Sequence, residues 1–294
     1  MLFVSMFGQF ARGVSMLIKC WGARGSIPVS GPEYLQYGGD TTCIEIRTKN
    51  DEIIIVDAGS SIRRVGNKLI AEGRLDFTML FTHAHWDHLM GFPFFKPLYS
   101  SKSRITICGC PFAQSTVKDM ISRVMTPPYF PVKFDNIRAN ITYEGECYES
   151  FSVDSVTITP IFLNHPNQGL GYKFVENGKS FVFITDNELS FKHPGGLDFD
   201  DYRDFASNAD ILIHDAEYTE EDYKRTRGWG HTVYNDALRL ALEANVKNFG
   251  LFHHNQDRND DGVEQIVRDC HTVIEKNRST LECFAVYQNM ELVL

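Results

Sequence analysis

The chain has 294 residues, 43% of them hydrophobic, and a formal net charge of −9. That length fits one large domain or two small ones, and that apolar fraction fills a sizeable core, which excludes a disordered chain. An acidic protein without a block of Lys or Arg repels a nucleic-acid backbone, so a small substrate is expected over a long polymer. In chain order, residues 1–15 lack a basic n-region and Arg12 interrupts their apolar part, so they read as a short N-terminal extension and not as a signal peptide. The folded domain is expected over residues 16–294, opening on the strand-like Leu17-Ile18-Lys19-Cys20. Further strands are predicted at 53–56, 79–81, 105–108, 156–163, 181–184, 211–213 and 249–252, where Val, Ile and Phe run together between Gly, Asp or Asn. Helical spacing relates Ile62, Val65 and Leu69, then Val117, Met120, Ile121 and Val124, then Ala237, Leu240 and Ala241, and last Val263, Ile266, Val267, Cys270 and Ile274. The pattern suits an α/β fold in which two sheets pack face to face with helices outside, and no repeat or Pro/Gly/Ser linker divides it.

No stretch approaches the ~18 apolar residues of a membrane span. The seven cysteines, Cys20, Cys43, Cys108, Cys110, Cys147, Cys270 and Cys283, are odd in number and scattered. That is not the signature of a secreted disulfide framework, and a reducing cytoplasm is the expected compartment. Cys108-Gly109-Cys110 is CxC without a second half for a zinc site, so small buried thiols are expected there.

Chemistry concentrates in Thr82-His83-Ala84-His85-Trp86-Asp87-His88, directly after a predicted strand. His83 and His85 are two apart, so in extended backbone they point to the same side, and Asp87 and His88 follow as the chain turns away. Imidazole nitrogens and carboxylate oxygens are the donors a hydrolytic zinc site uses, with one position left open for water. Other candidates occupy similar places: His165 after the strand at 156–163, Asp186 after 181–184, and His253 and His254 after 249–252. Strand ends gathered at one edge of a sandwich would supply enough ligands for two metals.

The order HxHxDH, a lone His after a strand, an Asp, and a His after a final strand resembles the metallo-β-lactamase superfamily. Ile54-Ile55-Val56-Asp57-Ala58-Gly59 looks like the Asp-containing strand and loop that precede HxHxDH there. Within it the chain is most similar to the branch holding RNase Z and the cyclic-nucleotide phosphodiesterases. Ala209 to Glu217, with His214-Asp215-Ala216-Glu217 at its end, resembles that branch's strand ending in His-Glu-Ala-Thr. Gly230-His231-Thr232, a helix, and Leu251-Phe252-His253 resemble its His-Ser-Thr, helix, Leu-Thr-His segment. Trp21-Gly22-Ala23-Arg24-Gly25-Ser26-Ile27-Pro28 is similar to the opening of a subgroup of such hydrolases.

The resemblance implies a four-layer αββα sandwich of two mixed β-sheets with outer helices. It implies two divalent ions, zinc first and manganese or iron as alternatives. One would be held by His83, His85 and His165 and the other by Asp87, His88 and His253, with Asp186 bridging and His254 the rival of His253. It implies hydrolysis of a small or cyclic nucleotide-type phosphodiester by a metal-bridging hydroxide, with His231 as general acid and Asp215 orienting its ring. Three departures stand out: Asp215 is one methylene shorter than the family's Glu, His-Ser-Thr becomes His231-Thr232-Val233, and the short interval from His165 to Asp186 has no room for a tRNA-gripping arm. A tRNA substrate is therefore not expected. Hydrolysis of a thioester, lactone or β-lactam, or a metal or ligand sensor, are the rival functions. His214 is expected to be structural, and His193 and His271 to lie at the surface. Arg24 is read as either a phosphate ligand or a loop-fixing residue. The aromatic stretches 92–95 and 127–131 would wall a pocket, fill the core or join a second copy in a homodimer.

Overall fold

The computed structural model describes residues 16–108, 117–144 and 150–294. The expected N-terminal extension, Gly109-Cys110 of the CxC stretch, and Cys147 lie outside the described residues. Unbroken apolar runs such as Ile53-Ile54-Ile55-Val56 require a strand buried on both faces, and the architecture provides this twice. The first sheet is built from β1 (Met16–Gly22), β2 (Cys43–Thr48), β3 (Ile53–Val56), β4 (Asp76–Leu80), β5 (Arg104–Cys108) and β6 (Asn140–Glu144). The second uses β7 (Phe151–Val153), β8 (Val156–Phe162), β9 (Leu170–Glu176), β10 (Lys179–Ile184), β11 (Ile211–Asp215), β12 (Asn248–Phe252) and β13 (Glu282–Ala285). The last strand, β14 (Glu291–Val293), returns to the first sheet and pairs antiparallel with β1. Each sheet has seven strands, in the orders β14-β1-β2-β3-β4-β5-β6 and β13-β12-β11-β10-β9-β8-β7. Both are mixed: β3 to β6 and β10 to β13 run parallel, and the remaining neighbours run antiparallel.

Side-chain alternation along the central strands sorts the layers. Ile54 and Val56 of β3 meet Phe181 and Phe183 of β10 in the core between the sheets. Their neighbours Ile53 and Ile55 face outward, onto Ile62, Val65 and Leu69 of α1 (Ile62–Glu72). After the short α2 (Trp86–Leu89), α3 (Val117–Val124) adds Met120 and Ile121 to the same outer core. On the other sheet, Val182, Ile184, Leu212 and Phe249 face Tyr202 of α4 (Phe199–Phe205). Beyond α5 (Glu220–Thr226), the helices α6 (Tyr234–Glu243) and α7 (Asp260–Lys276) complete that outer layer with Ala237, Leu240, Val263, Ile266 and Cys270. The result is the four-layer αββα sandwich. Sequence marks the helix ends: α1 stops at Gly73 with φ 69°, and the Asn259 side chain caps α7 by accepting from Gly262 N–H. Cys20, Cys43, Cys270 and Cys283 are buried free thiols, Cys108 is buried as well, and no described helix is long and apolar enough to cross a membrane.

Candidate metal centre and active site

The loops leaving β3, β4, β8, β10, β11 and β12 converge at one edge of the sandwich. After β4 the chain stays extended through His85 (φ −68°, ψ 155°) and then turns into α2, which carries Asp87 and His88. Three groups of ligand atoms result, each within 4.8 Å of one another: His83, His85, His165 and Asp186; Asp87, His88, Asp186 and His253; and Asp215, His231 and His253. Asp186 belongs to the first two. Its Oδ2 lies 3.4 Å from His83 Nε2, and its Oδ1 lies 3.3 Å from His88 Nε2 and 3.4 Å from His253 Nε2. His85 Nδ1 and His165 Nε2 face each other at 3.0 Å, and Asp87 Oδ2 lies 3.0 Å from His253 Nε2.

Whether these residues fit metal ions is tested by their unmet needs. The buried Nε2 atoms of His83 and His88 have no hydrogen-bond partner, although buried polar atoms are nearly always paired. Asp87 and Asp186 are buried, and their ion-pair partners among the described residues are histidines, never Lys or Arg. A buried carboxylate without a strong cation is costly. Burial pushes both carboxyl groups up, but the neighbouring imidazoles outweigh it and hold them well below the usual range. Burial likewise disfavours the charged ring of His88, yet Asp186, Asp87 and Asp57 raise its pKa well above normal. The imidazole of His83, whose burial dominates, falls to about 3. Nitrogen and oxygen donors in this arrangement fit two divalent cations.

Outer partners orient the rings. His88 Nδ1 donates to Asp57 Oδ2 at 2.7 Å, His253 Nδ1 to Glu217 Oε2 at 2.8 Å, and His165 Nδ1 to the Gly230 carbonyl at 2.9 Å. Each Nδ1 is thereby engaged by an outer acceptor, which leaves Nε2 as the atom aimed at the cluster. Asp57 is itself fixed by the N–H and hydroxyl of Thr82. Asp57, Asp186 and His253 all hold left-handed backbone, with φ of 63°, 53° and 57°. Such strain in non-glycine residues collects at functional sites. Glu217→Ala is expected to weaken metal affinity roughly 10- to 100-fold while leaving the saturated stoichiometry intact. Chelator competition reads the affinity, and a lost equivalent at saturation would make Glu217 a ligand.

His231 and Asp215 meet beside this cluster. His231 Nδ1 donates to Asp215 Oδ2 at 2.8 Å, so the shorter side chain reaches. Asp215 Oδ1 accepts from the backbone N–H of Glu217 and Thr232. Burial disfavours the charged His231 ring, but Glu217 and Asp215 overcome it and lift the pKa to about 9. The ring stacks on His253 with centroids 4.7 Å apart.

The remaining sequence candidates separate cleanly. His254 points away, donating Nε2–H to the Val286 carbonyl, whereas His253 joins the cluster. His214 is buried and bonds the Asp215 carbonyl and Asn187, a structural placement. His271 is exposed. His193 corrects the surface expectation: it is buried, with Nε2 on Glu188 at 2.7 Å, because the buried Asn164 and Glu188 side chains hold its loop inward. Arg24 is fully buried and donates to the carbonyls of Gly38, Asn255 and Arg258, the contacts of a loop-fixing residue. Its neighbours matter more. Ser26 N–H donates to Asp87 Oδ2, and a Cβ on Gly25 would sit 2.4 Å from His253 Nδ1.

A cavity of about 300 Å³ opens on the His83 and His85 side of the cluster. Trp86, Leu89, Met120, Val124 and Pro166 wall it, and Arg123 is the cation among its lining residues. Trp86 is 64% exposed. The aromatic stretches singled out in the sequence do not line it: Phe92 and Phe95 are core residues, and Phe94 and Tyr129 are exposed. Trp86 and Arg123 carried no separable signal, since a Trp inside a ligand motif and an Arg on an amphipathic helix are ordinary.

Fold and site together define a metal-dependent hydrolase. The model described as "Beta-lactamase superfamily domain" matches residues 53–254, more than half of the chain, and the chain belongs to that family. It is 23% identical over 220 residues to Ribonuclease Z of Picrophilus torridus, covering 61% of this chain and 69% of that protein. Among solved structures it is similar to the metallo-β-lactamase fold protein YhfI of Bacillus subtilis, with a TM-score of 0.71 and 16% identity over 96% of this chain and all of that one. It is also similar to unliganded yeast PDE1, with a TM-score of 0.69 and 14% identity, again over 96% of this chain and all of that one.

Proposed function

We propose that the protein hydrolyses a small phosphodiester, of the dinucleotide or cyclic-nucleotide class. The observation that carries this reading is the His231–Asp215 pair, hydrogen-bonded at 2.8 Å against a His/Asp cluster able to hold two metals. His83, His85 and His165 would hold one ion and Asp87, His88 and His253 the other, with Asp186 shared; zinc fits this donor set first, with manganese or iron as alternatives. Two such ions supply Lewis acidity towards a phosphoryl oxygen and lower the pKa of water towards neutrality.

The chain's own residues do the rest. His231, charged through its carboxylate neighbours, holds a proton that a departing alkoxide needs. Asp215 fixes the ring by Nδ1, which leaves Nε2 as the donating atom. A thioester or β-lactam hydrolase would have less use for this pair, because a thiolate or a strained ring opens with less help from an acid. The cavity argues for a small substrate: about 300 Å³ is at the lower end of small-molecule sites. The segment from His165 to Asp186 is filled by a tight loop and the β9–β10 hairpin.

Metal-reconstituted protein should turn over bis(p-nitrophenyl) phosphate in preference to a thioester and a β-lactam, and cyclic nucleotides or dinucleotides in preference to precursor tRNA. Preferred cleavage of the tRNA would overturn the small-substrate reading. Trp86 is the natural stacking platform for a base in the cavity. Trp86→Ala is expected to lower kcat/KM on a nucleotide substrate roughly 10- to 100-fold, the range of base–aromatic stacking. Methyl p-nitrophenyl phosphate, offered to the same variant, should lose far less.

A further inference from the structure

We infer that Glu188 is a positioning residue that sets His165 and His231 together, by holding the turn Gly228-Trp229-Gly230 between them. The inference rests on the roles proposed above for those two histidines. Glu188 is fully buried two residues after Asp186, and its carboxylate is saturated. Oε1 accepts from Tyr223 Oη at 2.6 Å and Gly228 N–H at 2.7 Å. Oε2 accepts from His193 Nε2–H at 2.7 Å and Gly230 N–H at 2.8 Å. Four donors converge on one side chain, and two of them are backbone groups of the same turn.

That turn faces the metal cluster with its other side. The Gly230 carbonyl accepts from His165 Nδ1, which fixes the tautomer presenting Nε2 to the cluster. The next residue is His231, on Asp215. One backbone bond, Trp229 N–H to the Thr226 carbonyl, closes the turn, while Gly228 and Gly230 sit at φ 87° and 95°. At Gly230 a Cβ would stand 2.0 Å from His165 Nδ1, so glycine is required for the close approach. Flexible glycines at both ends of an exposed Trp229 need an external anchor, and Glu188 is that anchor. A second link ties the network to the same loop as His165: Asn164 Nδ2 donates to the Glu188 carbonyl, and Asn164 Oδ1 accepts from His193 N–H. One carboxylate therefore fixes a metal-facing ring through Gly230 O and the proton donor through the chain.

Glu188→Gln keeps the volume, but whichever way its amide sits, the N–H₂ faces Gly228 N–H or Gly230 N–H, which can only donate, so one half of the clamp opens. The expected variant is folded and shows roughly 10- to 100-fold weaker affinity for one metal equivalent by chelator competition. It also loses rate mainly on phosphodiesters with alkoxide leaving groups. Combined with His231→Ala it should add little on those substrates, since the acid is already displaced. If Glu188→Gln does not fold, Tyr223→Phe, which removes one of the four donors, should move both readouts the same way by less. A folded Glu188→Gln or Tyr223→Phe with wild-type metal affinity and wild-type leaving-group dependence overturns the inference. The metal readout needs no substrate: should His231→Ala prove blind to the leaving group, the acid assignment fails while the affinity measurement still decides the role of Glu188.

Discussion

His231→Ala is expected to retain both metal equivalents yet lose roughly 10²- to 10⁴-fold in kcat on a phosphodiester with an alkoxide leaving group. The ring contacts Asp215 by Nδ1 and stacks on His253. Each proposed ion retains three donors besides Asp186 when His231 is removed. A p-nitrophenolate departs without a proton, so the same variant should lose much less on bis(p-nitrophenyl) phosphate. Elemental analysis and the two substrates together make the measurement. Equal losses on both, or a fall in metal content, would identify His231 as a ligand or a structural residue.

Asp186→Ala should behave in the opposite way, with both substrates suffering alike and by at least about 10³-fold, since metal ions provide the Lewis acid and the activated water together. Its two oxygens face His83 on one side and His88 and His253 on the other, so both metal groups lose a member. Metal content should fall from close to two equivalents to one or fewer. The apo variant should also lose the counter-charge that keeps the His88 and His253 rings charged, and so be less stable than the wild-type apo protein. Two retained equivalents in Asp186→Ala would remove the bridge from the mechanism.

Much of the site was legible because its spacing is local. His83, His85, Asp87 and His88 fall within one strand end and the first turn of α2, and their convergence follows from extended and helical backbone periods alone. His165, Asp186, Asp215 and His253 were legible as polar residues at the ends of apolar runs, and the family pattern supplied their order. The strands themselves were readable wherever both faces are buried, as in 53–56 and 181–184, since an unbroken apolar run has few other uses.

What the sequence could not decide is which residues act at long range. His253 and His254 are adjacent and chemically identical in the sequence. Only the left-handed backbone at His253 and the carbonyl of Val286 send one ring into the cluster and the other away from it. Arg24 in a glycine-flanked loop suited a phosphate as well as a loop, and three carbonyls from distant segments settle it as a loop anchor. His193, Glu188 and Tyr223 carry no periodicity and match no motif, yet they close around one turn because α5 and the loop after β10 pack together. The sequence by itself determined the two-sheet architecture and the ligand-type residues at the strand ends, because hydrophobic period and local spacing are properties of neighbouring residues. The tertiary structure alone decided ring orientation, outer partners and the shape of the cavity, because those depend on donors and acceptors that the chain brings together from dozens of residues apart.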